Sequence, residues 1–112
     1  MILVLGGTKE ANELIKILNA QGYEVLVTTV SSYGGELAKE SGAQEILVGK
    51  LDAQALANLI ESRKIKVVLD ATHPYASQVT FMAKETCERL GVTFLRHTRP
   101  MPSEIIKEDN FH

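Results

Sequence analysis

Five short runs of mostly branched apolar residues recur along the chain, each separated from the next by a segment with a different hydrophobic period. The runs occupy residues 2–5, 25–27, 46–48, 67–69 and 92–95. Continuous apolar runs of this length are typical of strands buried on both faces of a parallel sheet. In the intervening segments apolar residues return every three or four positions, which predicts helices and therefore an α/β fold. The helical pattern covers residues 11–18, 53–60 and 76–90, with a weaker one at 36–40.

The rhythm of strand, helix and strand predicts how the chain is wound. Parallel strands joined by helices make right-handed crossovers, so we expect a doubly wound parallel sheet with helices on both faces. This is a Rossmann-like three-layer domain of about five strands, expected over residues 1–99. In that class the first strand lies beside the fourth, so a ligand crevice is expected after Leu5 and Leu69. Residues 100–112 are expected to form an extended tail or the start of a further domain.

Composition and charge indicate which binding partners and which cellular compartment to expect. The chain carries 12 Lys and Arg against 14 Asp and Glu, a formal charge of −2, so we expect neither nucleic acid nor a membrane surface as a partner. No apolar run has the length of a signal-peptide core or a bilayer span. The single Cys87, expected in the core, has no second Cys for a disulfide or a thiolate metal site. We therefore expect a cytoplasmic protein without a bound metal.

The first strand runs directly into a helix through a glycine turn, residues Gly6, Gly7 and Thr8. Small residues here let backbone N–H groups approach a pyrophosphate at the helix N-terminus, where the helix dipole favours an anion. Gly6 fits the first glycine of the dinucleotide fingerprint, Thr8 stands at the second and Ala11 at the tolerated third. The match is partial, and Glu10 would repel a phosphate unless it faces a ribose hydroxyl or caps the loop. The alternative is a tight turn that holds no ligand.

The segment after the second strand is rich in hydroxyl groups rather than carboxylates. An NAD site usually has an Asp or Glu here to bind the ribose hydroxyls, and none occurs between Thr28 and Gly35. That absence favours NADPH over NADH, with Thr29, Ser31 and Ser32 as candidate donors to the 2′-phosphate. The segment also lacks an Arg for the phosphate, so a polar loop that caps the next helix is an equal alternative.

A second polar loop, residues 70–76, follows the fourth strand. Its side chains are expected at the mouth of the crevice opposite the glycine turn, where contacts with cofactor or substrate form. Asp70 and Thr72 are candidates for the cofactor, and His73 and Tyr75 for the substrate. The alternatives are that Thr72 caps the next helix, that Tyr75 packs against it and that His73 is structural.

Two arginines, Arg96 and Arg99, follow the last strand. Guanidinium groups bind carboxylates and phosphates through two parallel hydrogen bonds, so both residues are candidates for a polycarboxylate or phosphate ligand. A solvated basic edge of the sheet is the alternative.

Five motifs, taken in their order and spacing along the chain, resemble those of a known protein family. They are Gly6-Gly7-Thr8-x-Glu10-Ala11, Tyr33-Gly34, Gly49-Lys50-Leu51-Asp52, Asp70-Ala71-Thr72-His73-Pro74-Tyr75-Ala76 and Arg99-Pro100. Together they resemble the N-terminal domain of the precorrin-6A reductase family, which includes the cobalt-precorrin-6A reductases. The resemblance implies NAD(P)H-dependent reduction of one double bond in a precorrin-6A or cobalt-precorrin-6A tetrapyrrole during cobalamin synthesis. Family members continue into a second α/β domain that helps enclose the macrocycle, so we expect this chain to form the N-terminal half.

The resemblance also implies roles for the candidate residues. The glycine turn would hold the phosphates of the cofactor, residues 29–32 would face its adenosine ribose, and the loop at 70–76 would face the nicotinamide or the macrocycle. His73 and Tyr75 would be the catalytic candidates, as proton donors. Carboxylates of the macrocycle would be ligands for Arg96 and Arg99.

Two other functions are compatible with a domain of this kind, because a fold does not determine an activity. One is a non-catalytic regulatory module that binds a dinucleotide and transmits a conformational signal. The other is a sugar-nucleotide enzyme of the epimerase type, which the absence of a Tyr-x-x-x-Lys pair disfavours.

Overall fold

The computed structural model describes residues 1–73 and 76–97, which alternate between strands and helices. The strands are β1 (Ile2–Leu5), β2 (Val25–Thr29), β3 (Glu45–Val48), β4 (Val67–Asp70) and β5 (Thr93–Arg96). The helices are α1 (Lys9–Ala20), α2 (Ser32–Glu40), α3 (Ala53–Arg63) and α4 (Ser77–Leu90). None of these helices is long and apolar enough to cross a membrane. Tyr75, Arg99 and the expected tail at 100–112 lie outside the described residues.

The five strands pair in parallel in the order β3-β2-β1-β4-β5. The central strand β1 pairs Leu5 with Thr28 of β2 on one side and with Asp70 of β4 on the other. The chain therefore winds outward from β1 to β3, crosses back to β4 and winds outward again to β5. This confirms the predicted doubly wound fold, and the direction of winding reverses between β1 and β4.

Helices cover both faces of the sheet, because alternate residues of each strand point to opposite faces. In β1, Leu3 and Leu5 pack with residues of α3 and α4, whereas Val4 packs with residues of α1 and α2. All three side chains are buried. Burial on both faces explains why the strands are continuous apolar runs. Cys87 lies in the cluster of α3 and α4, which confirms its predicted place in the core.

Helix α2 begins earlier than the sequence pattern indicates. The expected helix at 36–40 starts instead at Ser32, and its first turn contains Gly34 and Gly35. Glycine lowers helix stability by about 1 kcal/mol relative to alanine, so local propensity does not predict this turn. Both glycines are buried, and a Cβ on Gly35 would lie 3.0 Å from Cγ2 of Val48. Close packing on the sheet accounts for the glycines of this turn, and the side chain of Ser31 caps the start of the helix.

Helices α3 and α4 both end on a residue in the left-handed conformation. Gly91 ends α4 with φ 73°, which glycine adopts without a steric clash. Lys64 ends α3 with φ 53° and ψ 50° and donates its N–H to the carbonyl of Ile60. The Cβ of Lys64 makes this helix end strained, because side chains crowd the backbone in that conformation.

Replacing Lys64 by glycine should therefore stabilise the protein. The left-handed conformation costs roughly 1–2 kcal/mol for a residue with a side chain, and the greater chain entropy of glycine offsets part of the gain. We expect Lys64→Gly to raise the free energy of unfolding, measured by urea denaturation, by about 0.5–1 kcal/mol. Lys16→Gly, inside α1, should lower it by a similar amount. A loss of stability in Lys64→Gly would show that the helix end is not strained.

Candidate functional site

The crevice at the carboxyl end of the sheet is bounded by the glycine turn after β1 and by the loop after β4. The described residues of this second loop, the β4 loop, are 71–73 and 76. Leu5 and Asp70 are paired across β1 and β4, so the two loops start side by side. From there α1 leads to β2 and α4 leads to β5, on opposite sides of the sheet order. The two predicted groups of candidate residues thus meet at the switch point of the sheet.

The backbone of the glycine turn lies against β2 and then opens toward solvent. Gly6 donates its N–H to the carbonyl of Thr28 at 2.8 Å, and a Cβ on Gly6 would lie 3.0 Å from Cγ1 of Val27. Gly7 has φ 104°, and a Cβ there would meet nothing within 4 Å. The first turn of α1 follows directly, with the N–H groups that helix N-termini offer to anions.

Thr8 connects the two loops through its hydroxyl group. Its Oγ1 accepts the N–H of Ala11 at 3.0 Å as the N-cap of α1, and the same hydroxyl donates to the carbonyl of Ala71 at 2.7 Å. The Thr8 hydroxyl is thus engaged within the protein. Its contact with a cofactor stays a prediction.

The three candidate residues after β2 differ in their surroundings. Thr29 is buried, and its hydroxyl donates to the carbonyl of Ser31 at 2.9 Å. The Oγ of Ser31 accepts the N–H of Gly34 at 3.0 Å and caps α2, so the capping role holds for this residue. Ser32 is exposed as the first residue of α2. Ser31 and Ser32 are both exposed, and Ser31 also serves as the N-cap of α2.

Asp70 is a buried carboxylate at the end of β4. Its Oδ1 accepts the hydroxyl of Thr72 at 2.6 Å and the N–H of the same residue at 3.0 Å. Its Oδ2 accepts the hydroxyl of Thr80 at 2.5 Å and lies 2.8 Å from Nη1 of Arg96. We call these four residues the Asp70 cluster. The carboxylate is surrounded by protein donors, and a cofactor contact from it stays a prediction.

The protonation state of Asp70 follows from these contacts. Burial raises the pKa of this carboxyl because the charged form loses its hydration. Hydrogen bonds from Thr72 and Thr80, together with the positive charge of Arg96, outweigh burial and hold the pKa below its ordinary value. The group is therefore ionised at neutral pH, and Arg96 supplies its counter-charge.

Arg96 reaches from β5 to the backbone of the β4 loop. Its Nη1 lies 3.1 Å from the hydroxyl of Thr72 and 3.2 Å from that of Thr80. Its Nη2 faces the carbonyl oxygens of Thr72 and His73 at 3.4 and 3.5 Å. His73 itself is exposed. The substrate contact of Arg96 and the catalytic role of His73 stay predictions.

Thr80 belongs to the site although the sequence analysis does not single it out. It lies in the first turns of α4, between the apolar positions Val79 and Ala83. The available signal is Asp70, which directly continues the apolar run of β4. A carboxylate in a buried strand requires donors, and hydroxyl groups early in the following helix are natural candidates.

Removing the charge of Asp70 should destabilise the fold. Asp70→Asn leaves Arg96 without a counter-charge and turns an amide NH2 toward groups that donate, so we expect a loss of about 3 kcal/mol in unfolding free energy at pH 7. Asp52→Asn is the matched control, because asparagine caps α3 as well as aspartate does. Urea denaturation measures both variants.

Acid denaturation provides a second readout of the same variant. The folded-state pKa of Asp70 is lowered, so its contribution is present above the unfolded-state pKa of about 3.9 and is lost as pH falls through the folded-state value. Below about pH 4 the free energy of unfolding should fall less steeply with acidification in Asp70→Asn than in the unchanged chain. Equal slopes in the two proteins would contradict the lowered pKa.

Comparison with known proteins adds sequence relatives to this geometry. The family model described as precorrin-6x reductase CbiJ/CobK matches residues 1–112. The cobalt-precorrin-6A reductase of Methanothermobacter thermautotrophicus is 33% identical over 113 residues, covering 98% of this chain and 37% of that protein. The precorrin-6A reductase of Sinorhizobium sp is 33% identical over 101 residues, covering 88% of this chain and 38% of that protein. The chain thus spans little more than a third of the length of these relatives.

Solved structures show the same relationship at the level of the fold. CobK precorrin-6A reductase superposes with a TM-score of 0.74 at 30% identity, over 88% of this chain and 37% of that one. The mycobacterial protein Rv1454c complexed with NADPH shares the fold, with a TM-score of 0.62 at 18% identity over 87% of this chain and 38% of its own. The family match covers every motif on which the resemblance rests. The chain belongs to the precorrin-6x reductase CbiJ/CobK family.

Proposed function

We propose that the chain binds NADPH in the crevice between β1 and β4 and forms the cofactor-binding part of a reductase. The proposed reaction reduces one double bond of a precorrin-6A or cobalt-precorrin-6A macrocycle. The observation that carries the proposal is the junction of the glycine turn with the β4 loop at the switch point of the sheet. The names of the family relatives support the reaction. Since the chain spans 37% of the first relative, the reaction is proposed for a protein that contains this chain.

The pyrophosphate of the cofactor is assigned to the N-terminus of α1. Gly6 lies against β2 and Gly7 borders open space, so the backbone leaves room for phosphate groups beside the turn. The N–H groups of the first helical turn and the helix dipole favour an anion there. Lys9, the exposed first residue of α1, adds a positive charge beside the negative charge of Glu10 in the same turn. The NADPH complex of the mycobacterial protein with the same fold supports a nicotinamide cofactor as the ligand.

The adenosine half is assigned to the end of β2, as is usual in Rossmann-like domains. The exposed Ser32 stands there at the N-terminus of α2, and no carboxylate occurs from residue 25 to residue 35. A helix N-terminus with a hydroxyl group accommodates the charge of a 2′-phosphate. A carboxylate would instead favour the free ribose hydroxyls of NADH. These features support NADPH as the preferred cofactor, with NADH as the weaker ligand.

The nicotinamide half is assigned to the β4 loop, on the side of β1 away from β2. Bound NADPH would supply a hydride to one carbon of the macrocyclic double bond, and a proton would complete the reduction at the other carbon. We propose the exposed His73 as the proton donor. Tyr75, the second candidate, and Arg99, a candidate for the substrate carboxylates, lie outside the described residues.

Titration of the chain with NADPH and with NADH, followed by fluorescence, tests this proposal. We expect NADPH to bind at least tenfold more tightly than NADH, a difference of about 1.4 kcal/mol, because its 2′-phosphate interacts with the N-terminus of α2. Added precorrin-6A should tighten NADPH binding, since the macrocycle would cover the nicotinamide ring. A regulatory dinucleotide module would bind NADPH equally well with and without precorrin-6A. Binding of neither nucleotide at millimolar concentration would contradict the proposed function.

A charge introduced at Ser32 tests the assignment of the adenosine half. Aspartate stabilises the first turn of a helix, so Ser32→Asp should fold normally. Its carboxylate would repel the 2′-phosphate, and we expect NADPH affinity to fall by about tenfold while NADH affinity is unchanged or higher. Gln21→Glu adds the same charge at the C-terminus of α1, near the amino ends of the strands and away from the crevice. It should leave both affinities unchanged. Equal losses for the two nucleotides in Ser32→Asp would refute the assignment.

A further inference from the structure

We propose that Arg96 is a positioning residue that fixes the β4 loop for the nicotinamide half of the cofactor. The inference rests on the proposed function. It gives Arg96 a different role from the binding of substrate carboxylates that its place after the last strand predicts. The contacts of Arg96 with Asp70 and with the loop backbone support this role.

The guanidinium of Arg96 joins three elements of the fold. Arg96 ends β5 in register with Asp70, which ends β4, and their side chains form an ion pair at 2.8 Å. The same Nη1 lies 3.2 Å from the hydroxyl of Thr80 in α4. Nη2 faces the carbonyl oxygens of Thr72 and His73 at 3.4 and 3.5 Å. A side chain of β5 therefore contacts the backbone of residues 72 and 73, just after β4.

Nη1 of Arg96 contacts three acceptors of the protein, on Asp70, Thr72 and Thr80, so a substrate carboxylate would compete with all three for its two N–H groups. Turning Arg96 toward a substrate would also leave the carboxylate of Asp70, with 0% of its surface exposed, without a counter-charge. Separation of a buried charge from its partner is strongly unfavourable because water does not replace the lost contact. The guanidinium is therefore held in place as part of the loop's support.

The position of the loop determines which part of the cofactor it serves. The β4 loop lies beside β1 on the side opposite β2, and Thr8 bonds it to the N-terminus of α1. The proposed function places the adenosine half at the end of β2 and the pyrophosphate at the N-terminus of α1. The nicotinamide half would then lie beside the β4 loop. A displaced loop should therefore weaken ligands that carry nicotinamide and spare ligands that end at the pyrophosphate and its second ribose.

A second arginine–carboxylate pair in the described part of the chain provides a matched control. Arg63 donates two N–H groups, Nε and Nη2, to the two carboxylate oxygens of Glu45 at 2.8 and 2.6 Å. The two side chains are 39% and 32% exposed. The pair links the C-terminal end of α3 to the start of β3, at the amino ends of the strands, whereas the crevice is at their carboxyl ends.

The experiment compares NADPH with 2′-phospho-ADP-ribose, which is the same molecule without the nicotinamide ring. In Arg96→Lys the ammonium keeps a positive charge beside Asp70, but a single nitrogen does not reach both loop carbonyls as the planar guanidinium does. We expect its affinity for NADPH to fall by about fivefold to tenfold and its affinity for 2′-phospho-ADP-ribose to change by less than about twofold. Arg63→Lys should bind both ligands as the unchanged chain does.

A second variant, together with the unchanged chain, distinguishes a failure of the positioning role from a failure of the proposed function. Arg96→Met, which removes the charge as well, should lose more NADPH affinity than Arg96→Lys, provided that circular dichroism shows it folded; otherwise Arg96→Lys decides. Unchanged NADPH affinity in Arg96→Lys, or an equal loss for both ligands, would overturn the positioning role. Failure of the unchanged chain to bind either ligand would instead overturn the proposed function.

Discussion

The carboxylate of Asp70 lies at the end of a strand beside the centre of the sheet, out of contact with water. An unpaired charge in that place would destabilise the fold by several kcal/mol, so neighbouring elements must provide donors. The chain provides them from the β4 loop, from α4 and from the end of β5. The path of the chain after β4 is thereby tied to one charged group. A substitution that spares the apolar core can still disturb this path.

The Asp70 cluster stands where the winding of the sheet reverses, so a structural requirement and the proposed cofactor site share one location. The backbone of the β4 loop is held by Arg96 at the carbonyl groups of Thr72 and His73. It is held by Thr8 at the carbonyl of Ala71. A loop fixed at consecutive carbonyls loses little conformational entropy when a ligand binds, which favours affinity. Rigidity at this point is therefore part of what the crevice offers a ligand.

The layers and the strand order can be predicted from the sequence because they depend on local patterns. Apolar runs predict buried parallel strands, and the rule that the first strand lies beside the fourth predicts the crevice. The start of α2 at Ser32 depends instead on the N-cap Ser31 and on two glycines packed against the sheet, which hydrophobic periodicity does not reveal. Strand β4 extends one residue beyond the apolar run at 67–69, because its last residue, Asp70, is charged.

The candidate residues after β1 and β4 can be predicted as neighbours, but their individual bonds cannot. The hydroxyl of Thr8 is engaged by a carbonyl 63 residues away, and its direction depends on how the strands align. The same is true of Arg96, whose partners Asp70 and Thr72 precede it by a helix and a strand. A motif identifies which side chains meet at a site. It does not distinguish a group that contacts the ligand from one that supports the contact.

The bond between Thr8 and Ala71 limits how the crevice can change. The Thr8 hydroxyl caps the start of α1 and also bonds the β4 loop, so the two loops are held together at this one side chain. A wider crevice for a bulkier nucleotide analogue would separate Thr8 from Ala71 and leave that carbonyl without its partner. Directed evolution toward such analogues should therefore change the floor or the far rim of the crevice before it changes the width at this junction.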